Sequence, residues 1–400
     1  MASVLPPGSA TYSLADIRLI ADRALGFVDH VRKQLFAPDA TKQAPKFNLS
    51  QLAVACGVDK NVINRRLAKG GDGLPAGVAI NATRREFTLA EVRQWVRAYN
   101  RHYQRTAEQD GAVIAVGNFK GGVSKTTTAV NLALGLSLKG YRVLLVDFDS
   151  QGSLTNLMGV SPVLQVEPED TFLRLAYMES NDESLRPAIR KTYWDGVDLV
   201  PASVALNNAD FLLPLRQSRD ASFRFWDVLG QSLRQDGVLK EYDYVIIDTP
   251  PSLSYLTLNA FYAADGLLVP LPPEGPDFAS SIQFWSLFSE LGNVIDSKLP
   301  EAERKRYSWV GVLPAKVDHT KPTTAAMLEW MRAAYGAELL PLEIPTTSAV
   351  SYAGTQFGSL YDISRYVGSA KTYSRARDAY DQLVDKIDNL TRVYKWQTKA

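Results

Sequence analysis

Hydrophobic and polar positions change rhythm along the chain. From Leu14 to Phe36 the apolar residues Leu14, Ile17, Ile20, Ala21, Leu25, Val28, Val31 and Leu35 recur at three- and four-residue spacing. That is one stripe of an amphipathic helix, which either packs on its own domain or pairs with a second copy. Pro38 to Pro45 reads as a connector, and a compact helical unit follows from Phe47 to about Tyr99. From Val113 short β-rich runs alternate with helical patterns: 113–118, 142–147, 197–202, 244–249, 266–271, 309–314 and 339–345. Near-continuous apolar strands separated by helices predict a mostly parallel sheet covered on both faces. The fold class is therefore α/β and doubly wound, with ligands expected at the carboxyl ends of the strands. The polar RTAEQDGA stretch from Arg105 has little to bury and places a boundary there. Four segments result: 1–46, an amino-terminal helix and connector; 47–104, a small helical domain; 105–111, a linker; and 112–400, the α/β domain.

Composition narrows the class. The 46% hydrophobic and 22% charged content of these 400 residues is that of a globular protein. A single cysteine, Cys56, and three histidines leave no thiol-rich or histidine-based metal cluster to expect. No apolar run approaches the ~18–20 residues of a membrane helix, and MASVLPPGSATYS lacks the order of a secretory signal. A cytoplasmic location is expected. The net charge of +1 hides an asymmetry: residues 1–110 carry 16 Lys and Arg against 10 Asp and Glu, the remainder 28 against 33. A basic front beside a mildly acidic body makes nucleic acid a candidate partner of the first.

The first α/β strand runs into GNFKGGVSKTTTAVNLALGL. Gly121 and Gly122 let backbone approach a ligand, and the N–H groups of Val123, Ser124 and the following turn point inward at a helix start. Such a turn binds phosphate through amide donors and the helix dipole. Lys125 is positioned for the β- and γ-phosphates, with Thr126 for Mg²⁺ and Thr127 beside it. The ordinary phosphate-loop pattern needs glycine at 119 and 124, where this chain has Phe119 and Ser124. The deviant form K-G-G-x-x-K-[ST], opening on Lys120, fits instead. In YDYVIIDTPPSL, Asp248 ends an apolar strand, where an acid beside a phosphate loop holds Mg²⁺ directly or through water.

FNLSQLAVACGVDKNVINRRLAKG has helix-turn-helix spacing. Ser50 is expected to cap a helix with Leu52, Ala53 and Val54; Gly57 permits the turn; Val58 is buried; Asp59 caps a second helix with Ile63 and Leu67 inward. Its outward face presents Lys60, Asn61, Asn64, Arg65 and Arg66, types that contact guanine and adenine edges. A short hairpin follows, with Arg84 and Arg85 where a wing touches phosphates, and then a helix capped by Thr88. The small domain is thus a winged helix-turn-helix.

KGGVSKTTT followed by RVLLVDFDSQGSLTNLMG resembles the ParA/MinD group of deviant phosphate-loop ATPases, most closely the long plasmid-partition ParA proteins with an amino-terminal DNA-binding region. The similarity spans roughly 112–390 and 47–97. It implies ATP (or ADP) with Mg²⁺, and a nucleotide-sandwich homodimer in which Lys120 reaches the partner's phosphates. It assigns Asp147 to the Mg²⁺ shell and Asp149 to the attacking water, although Ser150 stands where the family usually has proline. The adenine is expected between Pro314–Lys316 and Ile344–Thr347, including Pro345 and Thr346; AKVD at 315–318 lacks the asparagine of a guanine motif.

The resemblance further implies a ParB-type centromere-binding partner that, with DNA, stimulates slow hydrolysis. It implies repression of the chain's own operon through the helix-turn-helix, and nucleoid association through nonspecific DNA binding near the carboxyl end. A helical pattern from Ser369 to Leu390 offers Lys371, Arg375 and Arg377 for that contact, with Arg392, Lys395 and Lys399 beyond. Three other readings stay open: a RepA-like replication and partition protein, a nucleotide-sensing transcription regulator, and a MinD-like membrane ATPase. The tail VYKWQTKA is too short and too poor in apolar residues for the membrane anchor of the third.

Overall fold

The computed structural model describes residues 12–35, 42–81, 84–100, 105–177, 184–355, 358–363 and 368–397. The chain divides into two compact units between Gln43 and Ala44. In the first, helix α1 (Leu14–Leu35) follows the predicted stripe. Ser13 and Asp16 exchange hydrogen bonds at its start, and Asp29 pairs with Lys33 one turn on. Leu14, Ile17, Ile20, Phe27 and Val28 are exposed along it.

The second unit begins with the small helical domain. Strand β1 (Phe47–Asn48), helix α2 (Leu49–Ala55), helix α3 (Lys60–Ala68), strands β2 (Val78–Ala79) and β3 (Arg85–Phe87) and helix α4 (Leu89–Tyr99) follow in order. The strands form an antiparallel sheet ordered β1-β3-β2. Asn48, not Ser50, caps α2: its carboxamide accepts the Ser50 and Gln51 amides, and the Gln51 side chain accepts the Asn48 amide. The helix therefore starts two residues earlier than the serine suggests, because asparagine in extended backbone already satisfies the first free amides. Asp59 caps α3 and Thr88 caps α4 as the pattern predicts. Gly57 supplies the left-handed turn between α2 and α3 at φ +66°. Leu52, Ala53, Cys56, Ile63, Phe87, Val92, Trp95 and Val96 make a separate core, while Val58 is half-buried and Val54 exposed. Burial among these apolar neighbours pushes the Cys56 thiol up to about 12, which leaves it an inert packing residue.

The α/β domain contains strands β4 (Ala112–Val116), β5 (Val143–Asp147), β6 (Arg190–Lys191), β7 (Val197–Val200), β8 (Tyr244–Asp248), β9 (Gly266–Leu271) and β10 (Trp309–Pro314). They form one sheet ordered β10-β9-β4-β8-β5-β7-β6, parallel except for the short edge strand β6. The predicted strand at 339–345 does not form. Leu339 and Pro345 make only isolated bridges, to Val312 and Val317. Pro341 and Pro345 have no N–H to donate, which removes two ladder hydrogen bonds from the segment beyond β10.

Helix α5 (Lys125–Leu138) leaves the loop after β4 and is buried from Thr128 to Ser137. The carboxyl-terminal helix Ala370–Tyr394 crosses it closely: a Cβ on Gly135 would lie 2.4 Å from Val384 Cγ2. Tyr380, Leu383, Val384 and Ile387 of that helix are buried, and Tyr373 is half-buried. The stretch from Arg105 holds more than its polarity suggests. Arg105 forms an ion pair with Asp243 at 2.9 Å, and Trp396 Nε1 donates to the Asp110 carbonyl at 3.0 Å. No helix among the described residues is long and apolar enough to cross a membrane.

Candidate nucleotide site and nucleic-acid faces

Sheet order brings the motifs together. Asp147 and Asp248 are register partners on the adjacent parallel strands β5 and β8, and Asp248 is also the partner of Val116 on β4. Both carboxylates therefore stand at the carboxyl edge beside the loop that β4 feeds. That loop turns at Gly122 (φ +74°) and Ser124 (φ +77°), after which Lys125 opens α5. Gly121 and Gly122 are exposed, Val123 is buried, and Thr126 and Thr127 are half-buried on the first turn. The left-handed Ser124 explains why the ordinary phosphate-loop pattern places glycine there; this chain forces a serine into the same turn.

The side chains are arranged for charge that is not their own. Thr126 Oγ donates to Asp248 Oδ2 at 2.6 Å, while Asp248 Oδ1 is buried without a hydrogen-bond partner. Burial pushes the Asp248 carboxyl well above the usual carboxylate range, and neighbouring Asp147 adds to the rise. Asp147 is raised to about 7, chiefly by burial; the Thr155 amide and hydroxyl, at 2.9 and 2.7 Å, oppose the rise. Asp147 Oδ1 accepts the Asp149 amide at 3.1 Å and so aims the half-buried Asp149. Lys125 is buried, and its ammonium donates to the Lys120 carbonyl at 2.8 Å. Burial lowers its pKa, against the pull of Asp248 and Asp149. An orphaned carboxylate oxygen, a hydroxyl beside it and a buried lysine curled over its own loop fit a metal-bound polyphosphate. No cluster of three or more His, Cys, Asp or Glu among the described residues could hold a metal alone. The Thr126 hydroxyl and the Asp248 carboxylate suit Mg²⁺, which takes one or two protein ligands together with phosphate oxygens and water.

Three neighbours escaped the motif reading. Asn118 bridges the loop to β9, donating to the Pro270 carbonyl at 3.0 Å and accepting the Lys120 amide at 3.1 Å. Thr155 holds Asp147, and Asp277 pairs with Lys120 at 2.9 Å. Asn118 was visible as the polar end of an apolar run. Nothing local marks Thr155 or Asp277.

Comparison with known proteins accords with this geometry. A family model described as an AAA domain matches residues 111–299. A protein of Sinorhizobium fredii provisionally named "replication protein A" is 32% identical over 92% of this chain and 91% of its own. The chromosome partitioning protein ParA of Caulobacter vibrioides is 32% identical over 68% of this chain and 96% of its own. The chain belongs to the ParA family of partition ATPases. Among solved structures, one described as a partition protein superposes with TM-score 0.65 at 20% identity, covering 95% of this chain and 99% of that one. Cobyrinic acid a,c-diamide synthase from Mycobacterium smegmatis, with bound ATP analogue and magnesium, gives TM-score 0.52 at 29% identity, covering 71% and 96%.

As a ParA-family member the chain has further faces to assess. On α3, Lys60, Asn61, Asn64 and Arg65 are exposed. Arg66 faces elsewhere: its guanidinium lies 5.3 Å from the Tyr99 ring centre and 5.8 Å from that of Trp95, and it pairs with Asp72 at 3.1 Å. Arg66 thus pins α3 to α4 and is removed from the exposed face of α3 that the sequence offers for base contacts. On the wing, Arg84 is exposed and pairs with Glu86 at 2.7 Å, whereas Arg85 bonds back to the Ala76 carbonyl. Arg85 closes the hairpin.

At the carboxyl end Lys371 and Arg375 are exposed. They line an 860 Å³ groove with Pro345 and Thr346, the residues expected near the base. Arg377 does not join them. It stacks over Tyr361 at 3.8 Å and pairs with Asp381 at 3.2 Å, a packed position that follows from helical phase. Arg392 sits 3.7 Å from Asp388, and Lys395 pairs with Asp265 at 2.7 Å. Lys399 lies outside the described residues.

Proposed function

We propose that this chain is a Mg²⁺-ATP-dependent, DNA-binding ATPase that segregates plasmid or chromosomal DNA with a ParB-type centromere-binding partner. The observation that carries the reading is the convergence of Lys125, Thr126, Asp147, Asp149 and Asp248 on one glycine-rich turn at the carboxyl edge of β4, β5 and β8. Bound Mg²⁺ would supply charge neutralisation at the phosphate oxygens. The amides of Gly121 to Thr127 and the Lys125 ammonium hold the phosphates, and Thr126 with Asp248 serves the metal while Asp147 supports its shell. Asp149 orients the attacking water, and Lys120 crosses to the partner subunit's nucleotide in a homodimer. Pro345 and Thr346 border the base. Catalysis here is positioning and charge stabilisation, so hydrolysis is slow until a partner and DNA complete the arrangement.

The exposed face of α3, with Lys60, Asn61, Asn64 and Arg65, and Arg84 on the wing, reads an operator and represses the chain's own operon. Lys371 and Arg375 hold nonspecific duplex DNA in the nucleoid, within the cytoplasm. The stripe of α1 forms a dimer without nucleotide; deletion of residues 1–40 is expected to give a monomer by light scattering. Mg²⁺-dependent ATP turnover lost in Asp149→Ala tests the enzymatic reading, and unchanged turnover in that variant would refute the assigned role.

A second reading draws support from the Sinorhizobium fredii relative, whose name refers to replication and whose similarity runs through nearly the whole chain. On that reading the same ATPase acts in plasmid replication control as well as partition. Loss of plasmid copy number, separate from loss of segregation, on deletion of the gene would favour it.

A further inference from the structure

The phosphate-loop helix α5 is gripped at both ends. Its amino end carries the loop. Its carboxyl end and the turn that follows it are held by two arginines that arrive from α4 of the helix-turn-helix domain. Arg93, only 6% exposed, donates through Nε to the Ser137 carbonyl at 3.0 Å and through Nη2 to the Tyr141 carbonyl at 2.8 Å. Its Nη1 pairs with Asp195. Arg97, one turn on, donates through Nε to the Gly140 carbonyl at 2.7 Å. The last carbonyls of a helix carry its partial negative charge, so the Arg93 guanidinium suits the Ser137 carbonyl, while the Gly140 and Tyr141 carbonyls belong to the turn beyond α5.

The α/β domain has made room for these side chains. A Cβ on Gly196 would lie 1.9 Å from Arg93 Cζ, and one on Gly140 would lie 2.9 Å from Arg97 Cγ. Leu89 of α4 joins the core that α5 fills, and Trp194 Nε1 donates to Ser137 Oγ at 2.7 Å. Helix α5 spans about 21 Å and is packed on every side, so it moves as a rod, if at all. A dense core admits discrete shifts better than gradual bending. Phosphate at the amino end and guanidinium at the carboxyl end act on one dipole along one rod.

We propose that Arg93 is a positioning residue for the nucleotide site, through which occupancy of the phosphate loop is felt by α4, and by α3 that Arg66 ties to it. The proposal rests on the reading of the loop as a nucleotide site. Linkage makes the coupling reciprocal: whatever nucleotide does to α4, the state of α4 does to nucleotide affinity.

The test uses the full chain, Mg²⁺-ADP as the probe, and two readouts: calorimetric ADP affinity and hydrogen exchange of the Leu89–Tyr99 amides. In the wild type, ADP is expected to slow exchange in α4 by about threefold or more. In Arg93→Ala, ADP still binds, about threefold more weakly, and α4 no longer responds. Arg93→Lys keeps the charge but lacks the planar fork that reaches three acceptors, and is expected to lose most of the response. Asp195→Asn leaves Arg93 in place with its carboxylate partner neutralised, and is expected to halve the response; it carries the test should Arg93→Ala fail to fold. An α4 response retained in full in these variants, or absent in ADP-bound wild type, would overturn the proposal. Failure of the wild type to bind ADP would overturn the nucleotide reading itself, and with it this one.

Discussion

Lys120 Nζ lies 2.9 Å from Asp277 Oδ2, on the first turn of the helix Gly275–Asp296. The lysine assigned to a partner subunit's nucleotide is therefore held within its own subunit by a carboxylate that is itself buried. To reach across a dimer it must leave that partner. Lys120 is about one-third exposed, so solvent screens one side of the pair and its contribution is on the order of 1 kcal/mol. Replacing Asp277 with asparagine is accordingly expected to raise ATP-dependent dimer formation up to about fivefold, read by analytical ultracentrifugation with Asp149→Ala as background to prevent turnover. A weaker dimer would instead make Asp277 part of the closed state.

Asp147 sets a pH dependence with a definite sign. Its folded pKa, raised to about 7, lies above the unfolded value of about 4. The folded protein thus keeps a proton that the unfolded chain has lost across that interval. The contribution to stability is full below pH ~4 and is lost as pH rises through about 7. Urea unfolding without Mg²⁺ or nucleotide is expected to show a fall over this range that is shallower in Asp147→Asn, which retains an acceptor for Thr155. Equal slopes in the two proteins would contradict the assignment.

The strained serine of the phosphate loop offers a simpler test. A side chain in the left-handed region costs about 1–2 kcal/mol, part of which glycine returns through its greater freedom in the unfolded chain. Ser124→Gly is expected to raise thermal stability by up to about 1 kcal/mol with turnover retained. Ser124→Val, β-branched at the same φ, is expected to destabilise the loop and reduce nucleotide affinity. A destabilised glycine variant would mean that the serine hydroxyl does more than occupy space.

Basic residues at the carboxyl end separate into two kinds. Lys371→Ala with Arg375→Ala is expected to weaken nonspecific duplex binding and to lower the salt slope by about 2, without loss of stability. Arg377→Ala, which removes the guanidinium from Tyr361 and Asp381, is expected to cost about 1–2 kcal/mol of stability while leaving the salt slope unchanged. Salt-dependent fluorescence anisotropy and thermal unfolding of both variants distinguish the two.

Much of this was legible in the residues. The parallel sheet, the deviant loop and Asp248 at the end of β8 follow from local pattern, because phosphate binding demands particular residues at fixed spacing along a strand–turn–helix; the roles of Asp147 and Asp149 rest on the family resemblance. What escaped depends on phase or on distance. Arg65 and Arg66 are neighbours in sequence, yet helical rotation sends one to solvent and the other onto Trp95 and Tyr99. Arg375 and Arg377 divide in the same way. Asp277 is 157 positions from Lys120 and Arg93 is 44 from Ser137, separations across which no local pattern speaks. The Asn48 cap was hidden by a serine of similar propensity two residues on. The missing strand at 339–345 carries prolines, as do β9 and β10, so that signal did not separate it from strands that form.

ATP turnover by the purified protein, with and without nonspecific duplex DNA, in wild type and Lys120→Ala, tests the central claim most directly. Slow Mg²⁺-dependent hydrolysis that rises with DNA and disappears in the variant is the predicted result. Turnover unaffected by the substitution, or indifferent to DNA in the wild type, would contradict a DNA-stimulated ATPase that works by reaching across its dimer.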